Sequence, residues 1–97
     1  MKKFFDISEF INTSTEQSVT EALIIRFKKR RKESGLTQKD LSLRSGVSYA
    51  SIRRFETTGD ISLSSLISIA HAIKCLDDFN NLFNTPVIKN LKDYKYD

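Results

Sequence analysis

One proline and three glycines in 97 residues leave little punctuation for hairpins or barrels, which favours helices. The single cysteine, Cys75, cannot close an internal disulfide, so a reducing cytoplasm is the expected compartment. No apolar run approaches membrane-spanning length. The opening Met1-Lys2-Lys3-Phe4-Phe5 starts in the manner of a signal peptide, but Asp6 and Glu9 interrupt any apolar stretch. His71 is the lone histidine, with no Cys, Ser or carboxylate at a suggestive spacing. Neither a catalytic set nor a metal quartet can be assembled around it, and no phosphate-cradling glycine loop is present. The expectation is a protein that is not an enzyme and uses no cofactor, metal or membrane.

What is present suits one small domain. The length is that of a single core, and an apolar fraction of 39% with seven Phe and three Tyr is enough to fill it. The net charge of +4 hides a pattern. Residues 1–25 sum to −2, residues 26–56 to +7 and residues 57–97 to −1. Basic charge concentrated in the middle third is what a polyanion-binding surface requires, although a solvated helix face would look similar.

The first eleven residues are apolar and aromatic (Phe4, Phe5, Ile7, Phe10, Ile11) and residues 12–18 are polar. Ser18 with Glu21 three residues on is a candidate capping box for a first helix that runs to about Ser34, where Gly35 stops it. Leu23, Ile24 and Phe27 fall on one face of that helix. Three later starts share one device: an apolar residue, a hydroxyl cap, and an apolar residue four positions after the cap. They are Leu36-Thr37 with Leu41, Val47-Ser48 with Ile52, and Ile61-Ser62 with Leu66. These signals predict helices over about 38–45, 49–57 and 63–73, the last with Leu66, Ile69, Ala70 and Ile73 inward. A short fifth helix is expected near 77–83. Thr85-Pro86 then either caps another helix carrying Val87, Leu91 and Tyr94, or the end is an extended tail.

Ser45-Gly46-Val47-Ser48 joins the second and third helices with too few residues for antiparallel packing, so the pair must cross steeply. A tight helical corner with glycine at the turn is the geometry of a DNA-binding helix-turn-helix. The stretch Gly35-Leu36-Thr37-Gln38-Lys39-Asp40-Leu41-Ser42, with Ser45-Gly46-Val47-Ser48 and Ile52-Arg53-Arg54-Phe55-Glu56, resembles the Xre/Cro/phage-repressor helix-turn-helix family. Leu63 to Ala70 with Ile73 is similar to that family's fourth helix, and the resemblance covers roughly residues 20–83. Ser42 and Ser45 stand where the family more often has Ala, and the Thr57-Thr58-Gly59 exit is longer than its usual Asn-Gly.

The resemblance implies an all-α, lambda-repressor-like domain of five helices at residues 19–83, between an N-terminal arm (1–18) and a C-terminal tail (84–97). It makes the third helix the recognition helix, with Ser48, Tyr49, Ala50, Arg53 and Arg54 outward and set to meet bases. Arginine there can present its fork to guanine O6 and N7. Gln38, Ser51, Thr57 and Thr58 are the expected phosphate contacts. The family's buried ion pair maps onto Arg31 and Glu56, while Lys28, Lys29, Arg30 and Lys32 remain as phosphate contacts or solvated charge.

One recognition helix covers too little surface for tight specific binding, so the implied function is a homodimeric repressor on a palindromic operator in double-stranded DNA. Leu76, Phe79, Leu82, Phe83 and Val87 are the expected dimer surface. A second reading adds a protein partner. The ending Asp77-Asp78-Phe79-Asn80-Asn81-Leu82-Phe83 is similar to HipB-like antitoxins, which partner a kinase-like toxin and repress their own operon. A third reading is an RNA-binding or purely structural helical module that uses the basic surface without reading base edges.

Overall fold

Four hydroxyl side chains start four α-helices in the computed structural model, which describes residues 14–87. Thr15 opens α1 (Glu16–Glu33), Thr37 opens α2 (Gln38–Ser45), Ser48 opens α3 (Tyr49–Thr58) and Ser62 opens α4 (Leu63–Ala72). Each side-chain oxygen accepts from the backbone N–H three residues on, satisfying a donor that the first helical turn would otherwise orphan. At α2 the device is reciprocal: Asp40 N–H donates to Thr37 Oγ1, and Thr37 N–H donates to Asp40 Oδ2, both at 3.0 Å. That backbone hydrogen bond, with the Thr37 hydroxyl, holds the Asp40 carboxyl below its usual range.

The first helix begins earlier than the Ser18–Glu21 pair suggested. Thr15 is the cap and Ser18 is its N3 partner, with Thr15 N–H donating to Ser18 Oγ at 2.9 Å. Glu21 instead accepts from Gln17 Nε2 at 2.9 Å. Residues 16–18 therefore belong to the first helix. The aromatic segment 1–11 and the residues Leu91 and Tyr94 lie outside the described residues.

The three apolar pairs flanking the later caps all join the core or its edge. Leu36 and Leu41 are both buried, as are Val47 and Ile52, and Ile61 and Leu66 pack against the core from its edge. Ile24 and Phe27 from α1, Phe55 from α3, and Ile69, Ala70 and Ile73 at the α4 end complete the interior. Phe27 and Phe55 meet edge to face, centroids 5.1 Å apart at 75°. Leu23 departs from the expected face: it stands partly exposed at the edge of the core. It lines an apolar groove with Phe27, Leu63 and Leu66 instead.

The expected short fifth helix is present as a 3₁₀ helix, Leu76–Asn81, with no buried residue. Lys74 enters it at φ 61 and Phe83 leaves it at φ 58. Two left-handed residues nine positions apart confine the segment to a short tight turn. Thr85-Pro86-Val87 is not helical.

Glycines mark the two corners of the recognition unit. Gly46 caps α2 at φ 77, and Gly59 caps α3 at φ 84. Their surroundings differ. A Cβ at Gly46 would meet nothing, whereas one at Gly59 would collide with Thr20 Cγ2 of α1. Gly46→Ala should therefore cost about 1–2 kcal/mol from the left-handed backbone alone. Gly59→Ala should cost clearly more, because Thr20 must also move. Chemical denaturation of the two variants checks the order; equal losses would mean that the α1–α3 approach relaxes freely.

Candidate nucleic-acid interface

The corner between α2 and α3 is fastened from behind. Glu56, on the inner face of α3, receives Arg31 of α1 in a bidentate pair, with Nε donating to Oε2 at 2.7 Å and Nη2 to Oε1 at 3.0 Å. Arg31 Nη1 donates to the Leu36 carbonyl at 2.9 Å, and Gln38 Nε2 donates to Glu56 Oε1 at 2.9 Å. The pair's side chains are 9% and 3% exposed, so these are dry, charge-assisted hydrogen bonds. No buried side-chain polar atom among the described residues lacks a partner. One carboxylate thereby joins α1, α2 and α3.

With Ile52, Phe55 and Glu56 turned inward, α3 presents Tyr49, Ala50, Arg53, Arg54 and Thr57 to solvent. The sequence-derived set sorts unevenly on this face. Arg54 Nη2 reaches across the C-cap turn to Asp60 Oδ2 at 2.8 Å, both side chains well exposed. The free protein thus holds this arginine with a carboxylate that solvent or a guanine edge can replace. Arg53 lies over the Tyr49 ring, 5.6 Å from its centroid. Ser48 donates its hydroxyl proton to Ser51 Oγ at 2.8 Å, which leaves the Ser51 proton as the one available to an outside acceptor.

The expected phosphate contacts are not brought together. Gln38 is half-buried, and its amide is directed to Glu56. Thr57 and Thr58 donate to the carbonyls of Arg53 and Arg54 at 2.8 and 2.7 Å. Both border a depression shared with Glu16 and Glu21 of α1, a negative neighbourhood for a phosphate. No local pattern in the sequence shows that Glu16 and Glu21 of α1 lie beside Thr57 and Thr58.

Two residues of this face went unnoticed in the sequence. Lys39, beside Gln38 on α2, has its Nζ 5.6 Å from the centre of the Tyr49 ring. Asp60 holds Arg54. Both contacts cross a turn, where helical spacing carries no signal.

The expected dimer surface is largely open. Phe83 is fully exposed, Val87 and Leu82 largely so, and Leu76 partly; Phe79 is half-buried. Leu82 and Phe79 border an apolar groove of about 470 Å³ with Leu23, Phe27, Leu63 and Leu66, and Arg26 and Arg30 stand on its rim. Arg30 approaches Asp78 of the 3₁₀ helix at 3.9 Å. Among the described residues, no helix is long and apolar enough to cross a membrane, and no group of His, Cys, Asp and Glu is placed to hold a metal ion.

Comparison with curated proteins and with solved structures gave no significant match. Comparison with family models matched a helix-turn-helix model over residues 27–77, which spans the second half of α1, the α2–α3 corner, α4 and the start of the 3₁₀ helix. That match covers more than half of the chain and includes every buried core residue except Ile24, and the Arg31–Glu56 pair. The chain belongs to the helix-turn-helix family of the Xre/Cro/lambda-repressor type, and it is a DNA-binding transcription regulator.

Proposed function

We propose that the chain is a homodimeric transcriptional repressor that places α3 in the major groove at each half of a palindromic operator. The observation that carries this reading is the division of α3 into two faces. Ile52, Phe55 and Glu56 bind it into the domain, while Ala50, Arg53 and Arg54 face solvent with no part in the core. A helix held in this way can enter a groove as a rigid body and present an apolar methyl and two guanidinium groups to base edges.

Dimerisation follows from affinity. A single small module buries too little surface to discriminate an operator from bulk DNA, and two half-sites one helical turn apart solve that problem. Leu76, Leu82, Phe83 and Val87 form an apolar run that the domain leaves exposed, which supports its use as the contact between protomers. The same run supports the antitoxin reading, in which it meets a toxin as well.

Selection of binding sites from a random duplex pool tests the operator. An inverted repeat with half-site centres about one turn apart is expected. Phe83→Asp should shift sedimentation toward the monomer and weaken operator binding, with helical circular dichroism retained. An enriched site without two-fold symmetry, or a wild type that stays monomeric at high concentration, would overturn the homodimer. A monomer that gains its tail contact only with a co-encoded toxin would favour the antitoxin.

A further inference from the structure

We infer that Lys39, Tyr49 and Arg53 form one anchor for the DNA backbone, a phosphodiester site built across the turn from α2 and α3. The assignment rests on the reading that α3 faces DNA, and it moves Tyr49 and Arg53 from base reading to backbone binding.

The observation is a convergence of like charges. Lys39 Nζ and the Arg53 guanidinium each lie 5.6 Å from the centroid of the same ring, so they cannot be more than twice that distance apart. Among the described residues, Arg30, Arg31 and Arg54 have carboxylate partners within 4 Å, whereas Lys39 and Arg53 have none. Two cations brought to one aromatic ring repel one another. The ring's quadrupole offsets part of that cost, and a bound anion beside the pair would offset more.

Geometry also separates these residues from Arg54. Arg53 turns back over Tyr49 toward α2, away from the C-terminal end of α3, where Arg54 meets Asp60. Lys39 is exposed on α2 itself, so the two cations grip from both arms of the corner. A phosphodiester held there would fix the height and tilt of α3 in the groove, leaving Ala50 and Arg54 to face base edges. A Lys ammonium and an Arg fork beside a phenol O–H supply the donors that a phosphate oxygen accepts.

A backbone contact carries no sequence information but does release counterions. Lys39→Gln and Arg53→Gln should therefore each lower affinity roughly 5- to 10-fold near 0.1 M salt. The loss should be the same on the selected operator duplex and on an unrelated duplex of equal length. Each should reduce the slope of log K against log salt by about 0.9, and the double variant by about twice that. Tyr49→Ala, which removes the shared ring, should weaken both duplexes alike. All four variants are exposed substitutions, and unchanged melting temperatures confirm the fold. A loss confined to the operator would make the altered residue a base reader and overturn the anchor. An unchanged salt slope in Lys39→Gln and Arg53→Gln, with a wild type that binds operator normally, would overturn it too and leave the recognition-helix reading intact. A wild type that binds neither duplex would take down that reading and the anchor with it.

Discussion

Glu56→Ala should lose on the order of 3–5 kcal/mol of folding stability, the cost of leaving a buried charge without its partner. Arg31 would keep only its hydrogen bond to the Leu36 carbonyl, and Gln38 would lose its acceptor. In a domain of this size that loss lowers the melting temperature by roughly 12 °C or more. The double replacement Arg31→Met with Glu56→Leu should recover much of it, because a buried pair replaced by apolar groups of similar volume is often close to neutral. Thermal unfolding followed by circular dichroism makes the comparison. A single variant that melts with the wild type would show that water enters the pair and relieves the unpaired guanidinium. A double variant as unstable as the single one would locate the loss in packing and not in charge.

Arg54→Ala should weaken binding to the selected operator by about 1–3 kcal/mol, which is the discrimination that a bidentate arginine provides at guanine. On a scrambled duplex the loss should be much smaller, since that complex rests on phosphates. In the free protein Arg54 is paired with Asp60 at 2.8 Å, so entering the groove exchanges one acceptor for another. The exposed pair is itself worth only about 0–1 kcal/mol, too little to block that exchange. Titration against both duplexes reads the difference. Equal losses would make Arg54 a backbone anchor, and no loss on either would place α3 in another register on the DNA.

The parts of the fold legible in the sequence were those written in local chemistry. Thr37, Ser48 and Ser62 announced their helices because a cap and its apolar pair lie within six residues of one another. Gly46 announced the corner because that turn needs a positive φ. The Arg31–Glu56 pair, 25 residues apart, came only through the family resemblance; no local pattern encodes it. Where competing signals sat close together the reading slipped. Ser18 is a good cap, but Thr15 lies one turn earlier and takes Ser18 as its partner. The segment after Ile73 has helical apolar spacing in Leu76, Phe79 and Leu82, yet left-handed Lys74 and Phe83 bound it as a 3₁₀ turn. On the candidate interface, residue identity was easier to foresee than partnership. Arg53, Arg54 and Tyr49 were found by their positions on one helix, whereas Lys39 and Asp60 reach them across turns.

The two-faced construction of α3 has a consequence for how such a protein changes over time. Ile52 and Phe55 are 0% and 2% exposed and Glu56 is 6% exposed, while Ala50, Arg53 and Arg54 stand exposed. Substitutions on an exposed face free of special contacts usually alter stability by no more than about 0.5 kcal/mol. Ala50 can therefore be exchanged through many amino acids while the domain continues to fold, and Arg54 can be exchanged with the loss of only its exposed pair with Asp60. On the proposed reading, duplicated copies of this chain would be free to drift toward different operators, each change altering preference at a base pair without passing through an unfolded intermediate sequence. The backing residues have no such freedom, so divergence among descendants would be concentrated on one side of a single ten-residue helix.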